Sequence, residues 1–287
     1  VQNHMDSIYP LRFNNINEHQ SNDEHLRQQL RNNPSKFKLH SFGSIKLICC
    51  KPSDKSTFKT VIPISLVPPT LEWYHRLLNH PGSSRMLNTI SLHFWFPNMR
   101  SSIETFVQTC DICQRIKTPF PKLGKLPIKS NESNPWEEVQ VDLVGPWQFK
   151  LPPKWKVSVL AVTAIDPFSG LCEILRVKNK TCAHISTRFF QMWLARYPRP
   201  LRCIHDNGSE FIAQEFQDLL KYYGIQDVRT TAKNPQANSI IERMHLTIGS
   251  MLRSMIADAQ QNKRSLIAQD IDDFIDTTLS SSVYAIN

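Results

Sequence analysis

Glycine is scarce in this chain of 287 residues, with eight against nineteen prolines, a balance that fits several extended connectors. Long apolar runs are missing as well. The longest, 157–165, is far too short to cross a bilayer, so no membrane partner is expected. The start, Val1-Gln2-Asn3-His4, lacks a charged-then-apolar signal pattern, and nothing points to secretion. Nor does it open on Met; the expectation is a product cut from a longer polyprotein, or a fragment. Seven cysteines is an odd number, and only Cys110 and Cys113 have a metal-like spacing. Cys49, Cys50, Cys172, Cys182 and Cys203 lie in or beside apolar stretches and read as small core residues of a protein kept reduced. Acid falls short of base, 25 Asp and Glu against 34 Lys and Arg. The resulting charge of +9 favours a polyanionic partner, though weakly by itself.

The chain divides by pattern into four parts. Residues 1–66 form an N-terminal extension with a short polar helix over 22–30 and strand-like alternation over 37–50 and 58–64. Residues 67–117 turn helical, with three short segments over 71–78, 83–92 and 98–109 that are too small to hold a large core. Residues 118–134 interleave proline with lysine; this linker tracks DNA through Lys122 and Lys125 or is simply a solvated connector. Residues 135–287 read as α/β: strands over 138–144, 157–165 and 171–177, a helix over 183–196 with Thr181 as N-cap, and a strand over 201–205. A helix over 213–223 closed by Gly224, a strand over 225–230 and a long helix over 240–256 follow. That order suits a mixed five-stranded sheet flanked by helices.

Two constellations carry chemistry. His75 and His80 are spaced H-x4-H, Cys110 and Cys113 are spaced C-x2-C, and 29 residues lie between the pairs. Two imidazoles and two thiolates complete a tetrahedral shell for one structural Zn²⁺, whose binding supplies folding energy that the small helical part lacks. His93 is a rival ligand, but its neighbours Leu92, Phe94, Trp95 and Phe96 favour an ordinary, partly buried histidine.

The second constellation is acidic. Asp142 lies within the first core strand, Asp206 ends the fourth, and Glu242 opens the long helix, with 63 and 35 residues between them. Carboxylates gathered in a sheet repel one another unless cations lie between them, and hard oxygen donors favour Mg²⁺ or Mn²⁺. Two such ions serve in-line displacement at phosphorus without a protein nucleophile. Asp166, in Asp166-Pro167-Phe168-Ser169-Gly170, competes for the first position, but its context suits a turn cap. Glu210 is a supporting candidate.

Together these residues resemble the integrases of retroviruses and long-terminal-repeat retrotransposons, particularly the gypsy-like branch, over about residues 67 to 260. The resemblance rests on H-x4-H and C-x2-C followed by the D…D-x35-E triad, on Asp206-Asn207-Gly208-Ser209-Glu210-Phe211, and on Asn234-Pro235-Gln236-Ala237-Asn238 before Glu242-Arg243. It implies an RNase H-like catalytic core that trims the 3′ ends of element DNA and joins them to target DNA. Asp142 would bridge two Mg²⁺ (or Mn²⁺) ions, with Asp206 on one and Glu242 on the other. It further implies double-stranded DNA as partner, contacted by Asn234, Gln236, Asn238, Arg243 and His245, a homo-oligomer, and action in the nucleus after a virus-like particle or cytoplasmic stage. The core, 135–287, would be C-terminally incomplete, ending before the small-barrel or chromodomain-like part of relatives. Ser239 stands where glycine is common, and Leu246 and Gly249 where retroviral relatives are often basic. Rival readings are a domesticated integrase that binds DNA without catalysis, an RNase H-like nuclease, and a cut-and-paste transposase.

Overall fold

The computed structural model describes residues 9–53, 56–117, 134–151, 155–230, 239–261 and 268–287. The chain forms two compact units, Val1–Arg115 and Ile116–Asn287. The boundary expected near residue 66 falls inside the first.

In the first unit, helices α1 (Phe13–Asn22) and α2 (Glu24–Asn32) precede strands β1 (Phe37–Phe42), β2 (Ile45–Cys50) and β3 (Lys59–Val61). Asp23 caps α2 by accepting the Leu26 amide at 2.9 Å. The expected helix over 22–30 is thus α2, and α1 comes in addition; its apolar positions are too few to mark a helix by periodicity. β1–β2 is an antiparallel hairpin, whereas β2 and β3 share only the pairs Cys49–Thr60 and Cys50–Lys59. Where that ladder stops, the buried Gln20 side chain continues it. Its Nε2 donates to the Ile48 and Val61 carbonyls at 3.0 and 2.7 Å, and its Oε1 accepts the Ile48 amide at 2.7 Å.

Three helices follow as expected: α3 (Val67–Leu77), α4 (Ser83–Ser91) and α5 (Met99–Thr109), with a fourth, α6 (Asp111–Ile116). Pro68 and Pro69 stand in the first turn of α3, where a missing amide costs no helical bond. Between α4 and α5 the short strand β4 (Phe94–Trp95) pairs in parallel with β3, completing the sheet order β1-β2-β3-β4. The extension and the helical part are therefore stitched by main-chain hydrogen bonds.

The second unit is built on the predicted five-stranded sheet: β5 (Glu138–Leu151), β6 (Trp155–Ile165), β7 (Cys172–Val177), β8 (Arg202–His205) and β9 (Gln226–Arg229), in the order β7-β6-β5-β8-β9. β5, β6 and β7 form an antiparallel meander, while β8 and β9 join in parallel on the other side of β5. Parallel neighbours need crossovers, which helices α7 (Cys182–Phe189), α8 (Ser209–Ile212) and α9 (Gln214–Tyr222) provide. The helix expected over 183–196 holds α geometry only to Phe189 and continues as a π turn, Phe190–Leu194. Thr181 occupies the N-cap position, but its hydroxyl bonds Asn179. Gly224, at φ 62°, ends α9 as expected.

The strand period of two sorts side chains between two layers. Val139, Val141, Val162 and Ala164 meet Ile185, Phe189, Trp193, Phe211 and Phe216 from the crossover helices. On the opposite face, Val144, Val159, Ala161 and Ile165 meet two long helices, α10 (Ser239–Gln261) through Ile241, Met244, Ile248 and Leu252, and α11 (Ala268–Ile286) through Ile271, Ile275 and Leu279. β5 continues beyond its expected end at 144 through an irregularity at Gly145. Gly145 has φ 103°, and a Cβ there would stand 2.5 Å from the Val159 carbonyl oxygen, so no other residue fits. Among the described residues no helix is long and apolar enough to cross a membrane.

Replacing Gln20 by Leu would leave three buried main-chain groups of β2 and β3 unpaired. The variant is expected to lose about 3 kcal/mol of first-unit stability, read as a lowered midpoint in urea unfolding.

Candidate metal centres of a two-unit chain

The zinc constellation assembles by local geometry. α3 ends in two residues of left-handed backbone, Asn79 at φ 54° and His80 at φ 57°. This reversal returns the His80 amide to the His75 carbonyl at 2.8 Å and turns both rings toward each other. Cys110 stands at the C-cap of α5, and Cys113 follows within α6. Donor atoms lie at 3.0 Å (His75 Nε2 to His80 Nδ1), 3.3 Å (His75 Nε2 to Cys113 Sγ), 3.5 Å (His80 Nδ1 to Cys110 Sγ) and 3.9 Å (His80 Nδ1 to Cys113 Sγ). A tetrahedron with ordinary zinc bond lengths has edges of about 3.3 Å between nitrogens and about 3.6 Å between nitrogen and sulfur. These four edges lie close to those values. All lie within 4.8 Å of one another, the one such group among the described residues. His93 lies outside it and is exposed, not partly buried.

The acidic constellation assembles from distant segments. Asp142 pairs with Thr163 across β5–β6, so both point to the face covered by α10. Its Oδ1 accepts the Leu143 amide at 2.7 Å. Asp206 follows β8 directly, and its Oδ1 accepts the Gly208 amide at 2.9 Å. A Cβ on Gly208 would meet that same oxygen at 2.9 Å and the Glu210 carboxyl carbon at 3.0 Å, so glycine here lets two carboxylates stand side by side. The buried His205 ring holds this turn, with Nδ1 donating to the Asp206 carbonyl at 2.6 Å and Nε2 lying 2.6 Å from Asp227. Glu242 is exposed in the first turn of α10.

Burial drives the Asp142 carboxyl up to about 6. The Leu143 amide opposes this, and the charges of Asp206, Glu210 and Glu242 add to it. Four acids from β5, the β8–α8 turn and α10 therefore share one field. The donor set, carboxylate oxygens only, fits a hard divalent ion.

Asp166 is a turn anchor. Fully buried, it accepts the Phe168 amide at 3.0 Å and the Ser169 hydroxyl at 2.6 Å.

Two family models match this chain in succession. The family model described as "Integrase zinc binding domain" matches residues 62–119, and "Integrase core domain" matches 133–235. The chain belongs to the retroelement integrases. It is 27% identical over 178 residues to the retrovirus-related Pol polyprotein from transposon 412 of Drosophila melanogaster, covering 62% of this chain and 14% of that one. It is 26% identical over 200 residues to the Pro-Pol polyprotein of feline foamy virus, covering 66% of this chain and 16% of that one. The integrase chain thus spans a small part of the curated relatives it matches. Among solved structures, the HTLV-2 integrase catalytic core domain in complex with magnesium is similar at 23% identity, covering 50% of this chain and 84% of that one with a TM-score of 0.38.

Of the residues expected to touch DNA in this integrase, Lys122, Lys125, Asn234, Gln236 and Asn238 lie outside the described residues. Arg243 is exposed on α10. His245 is turned into the protein instead, its side chain 13% exposed and its Nε2 2.8 Å from the Thr163 hydroxyl. Thr163 was not singled out from sequence. The one signal was a hydroxyl at the third of four same-face positions, Val159, Ala161, Thr163 and Ile165, otherwise apolar.

Two outcomes follow for the centres. A zinc chelator is expected to melt the helices of residues 67–116 while leaving the second unit's sheet intact, and Cys113→Ser to reproduce this, as read by circular dichroism and zinc content. Because the folded-state pKa of Asp142 is raised, the fold favours its protonated form. Stability is therefore highest below the carboxyl's ordinary pKa and falls as pH rises to about 6. Asp142→Asn should then stabilise the metal-free protein at pH 7.5 by up to about 3 kcal/mol. That gain should vanish below about pH 4 in urea unfolding.

Proposed function

We propose that this chain is the DNA-cutting and DNA-joining enzyme of a retroelement, performing 3′-end processing and then strand transfer of element DNA into target DNA. The observation that carries this reading is the convergence of Asp142 on β5, Asp206 and Glu210 after β8, and Glu242 on α10, near enough that the last three raise the Asp142 carboxyl. Acids crowded in this way mark functional sites, and a divalent cation would relieve their repulsion. Asp142, Asp206 and Glu242 would hold two Mg²⁺ or Mn²⁺ ions. When bound, such ions activate the attacking oxygen and stabilise the leaving oxygen of an in-line displacement at phosphorus.

In end processing, water oxygen forms a bond to phosphorus while the P–O3′ bond breaks, leaving a free 3′-hydroxyl on the element. In strand transfer that hydroxyl becomes the attacking group, and a P–O3′ bond of the target breaks. No side chain becomes covalently attached. The chain's own part is to hold the acids from three elements at fixed mutual positions, with His205 and the Gly208 amide orienting Asp206 and the Leu143 amide orienting Asp142. Double-stranded DNA is the proposed substrate on both sides. The surplus of 34 basic over 25 acidic residues supports it, with Arg243 beside Glu242 and Lys122, Lys125, Asn234, Gln236 and Asn238 as further contacts. We assign the zinc unit a structural part and the assembly a homo-oligomeric state on DNA, acting in the nucleus.

Glu242→Gln keeps the side chain's size and removes its charge. Strand transfer by the purified protein, with Mg²⁺ and a duplex carrying the element's own terminal sequence, should fall by roughly 100-fold or more while binding of that duplex persists. Equal product from variant and parent would refute the carboxylate mechanism. Cleavage of RNA–DNA hybrids with none of DNA ends would reassign the substrate.

A further inference from the structure

We propose that His245 and Thr163 are positioning residues that lock the start of α10, which carries Glu242, onto the strand that carries Asp142. This rests on reading those two acids as parts of one metal-holding site.

The hydrogen bonds fix their own direction. The Thr163 hydroxyl has one proton, and it lies 3.0 Å from the Asp142 carbonyl oxygen, which can only accept. That contact uses the proton. The 2.8 Å contact between Thr163 Oγ1 and His245 Nε2 must then run the other way, with Nε2–H donating. Nδ1 stands 3.8 Å from Asp142 Oδ2, beyond hydrogen-bond reach. The ring thus holds the strand through Thr163 without donating to Oδ2, leaving that oxygen's lone pairs to a cation.

The chain of contacts runs from α10 through His245 and Thr163 to the main chain of Asp142. Thr163 is fully buried and its partner ring nearly so, where a hydrogen bond is shielded from competing water. His245 comes three residues after Glu242, on the same side of the helix within one turn. Glu242 itself stands in the first turn, where amides lack intrahelical acceptors and helices fray. Ile241, Met244 and Ile248 press this turn against the sheet, but apolar packing permits sliding. The His245–Thr163 bond is directional and sets the height of Glu242 along β5.

The test pairs each deletion with a conservative partner. Thr163→Val removes the hydroxyl at constant size and Thr163→Ser keeps it. His245→Leu removes the donor, and His245→Gln returns an amide nitrogen near the Nε2 position. In the metal-free protein, hydrogen exchange of amides 242–247 should quicken roughly 10-fold in the Val and Leu variants and stay near the parent's rate in the Ser and Gln variants. By calorimetry with Mn²⁺ alone, the Val and Leu variants should bind roughly 10-fold or more weakly. The double variant should be no worse than either alone, because one contact is lost once. Parent-like exchange and Mn²⁺ affinity in both deletions, with uptake still abolished by Asp142→Asn, would overturn the positioning role and leave the site standing. Absence of Mn²⁺ uptake by the parent would overturn the site, while exchange in the metal-free protein still decides the lock.

Discussion

The second unit is organised around a charge placed where charge is least welcome. Asp142 sits in the central strand of a five-stranded sheet, and burial lifts its carboxyl to about 6. Around it the fold spends its polar groups to hold the place: the Leu143 amide on one oxygen, Thr163 on its carbonyl, and His245 reaching in from α10. The same burial that raises Asp142 lowers the His245 ring to about 4, so the ring is neutral at physiological pH. The hydrogen-bond directions require only a proton on Nε2, which the neutral ring can carry.

Each partner acid arrives by a different route. Asp206 is delivered by a parallel strand next to β5, and Gly208 lets Glu210 crowd beside it. Glu242 is delivered by a helix whose apolar stripe, spaced three and four residues apart, lies on the same face as Asp142. A strand, a turn and a helix end thus converge without any two being adjacent in sequence. The zinc centre follows the opposite logic: each ligand pair is made within a single reversal, and only the joining of two pairs needs the unit's fold.

The first unit shows how small parts share one stability. The extension buries a small core of Leu26, Phe37, Ile48, Cys50 and Val61 against Trp95 of β4, and parallel pairing of β3 with β4 joins it to the zinc-binding helices. Gln20 supplies from a helix the hydrogen bonds that a short strand cannot. Metal binding and sheet completion therefore bear on the same body.

The amino-acid sequence alone determined the succession of strands and helices along the core, the two ligand pairs for zinc, the turn at Asp166 and the capping of α9 by Gly224. These depend on periodicity and on spacing within one or two turns, which the backbone fixes locally. It named Asp142, Asp206 and Glu242 as candidates without showing what surrounds them. Tertiary structure decided that His245 turns inward to Thr163, eighty-two positions away, that Gln20 closes a ladder forty-one positions ahead, and that β4 belongs to the extension's sheet. Such contacts arise where two faces happen to pack. A polar residue in a chain carries no mark of which face will meet it until the apolar residues around it have been buried.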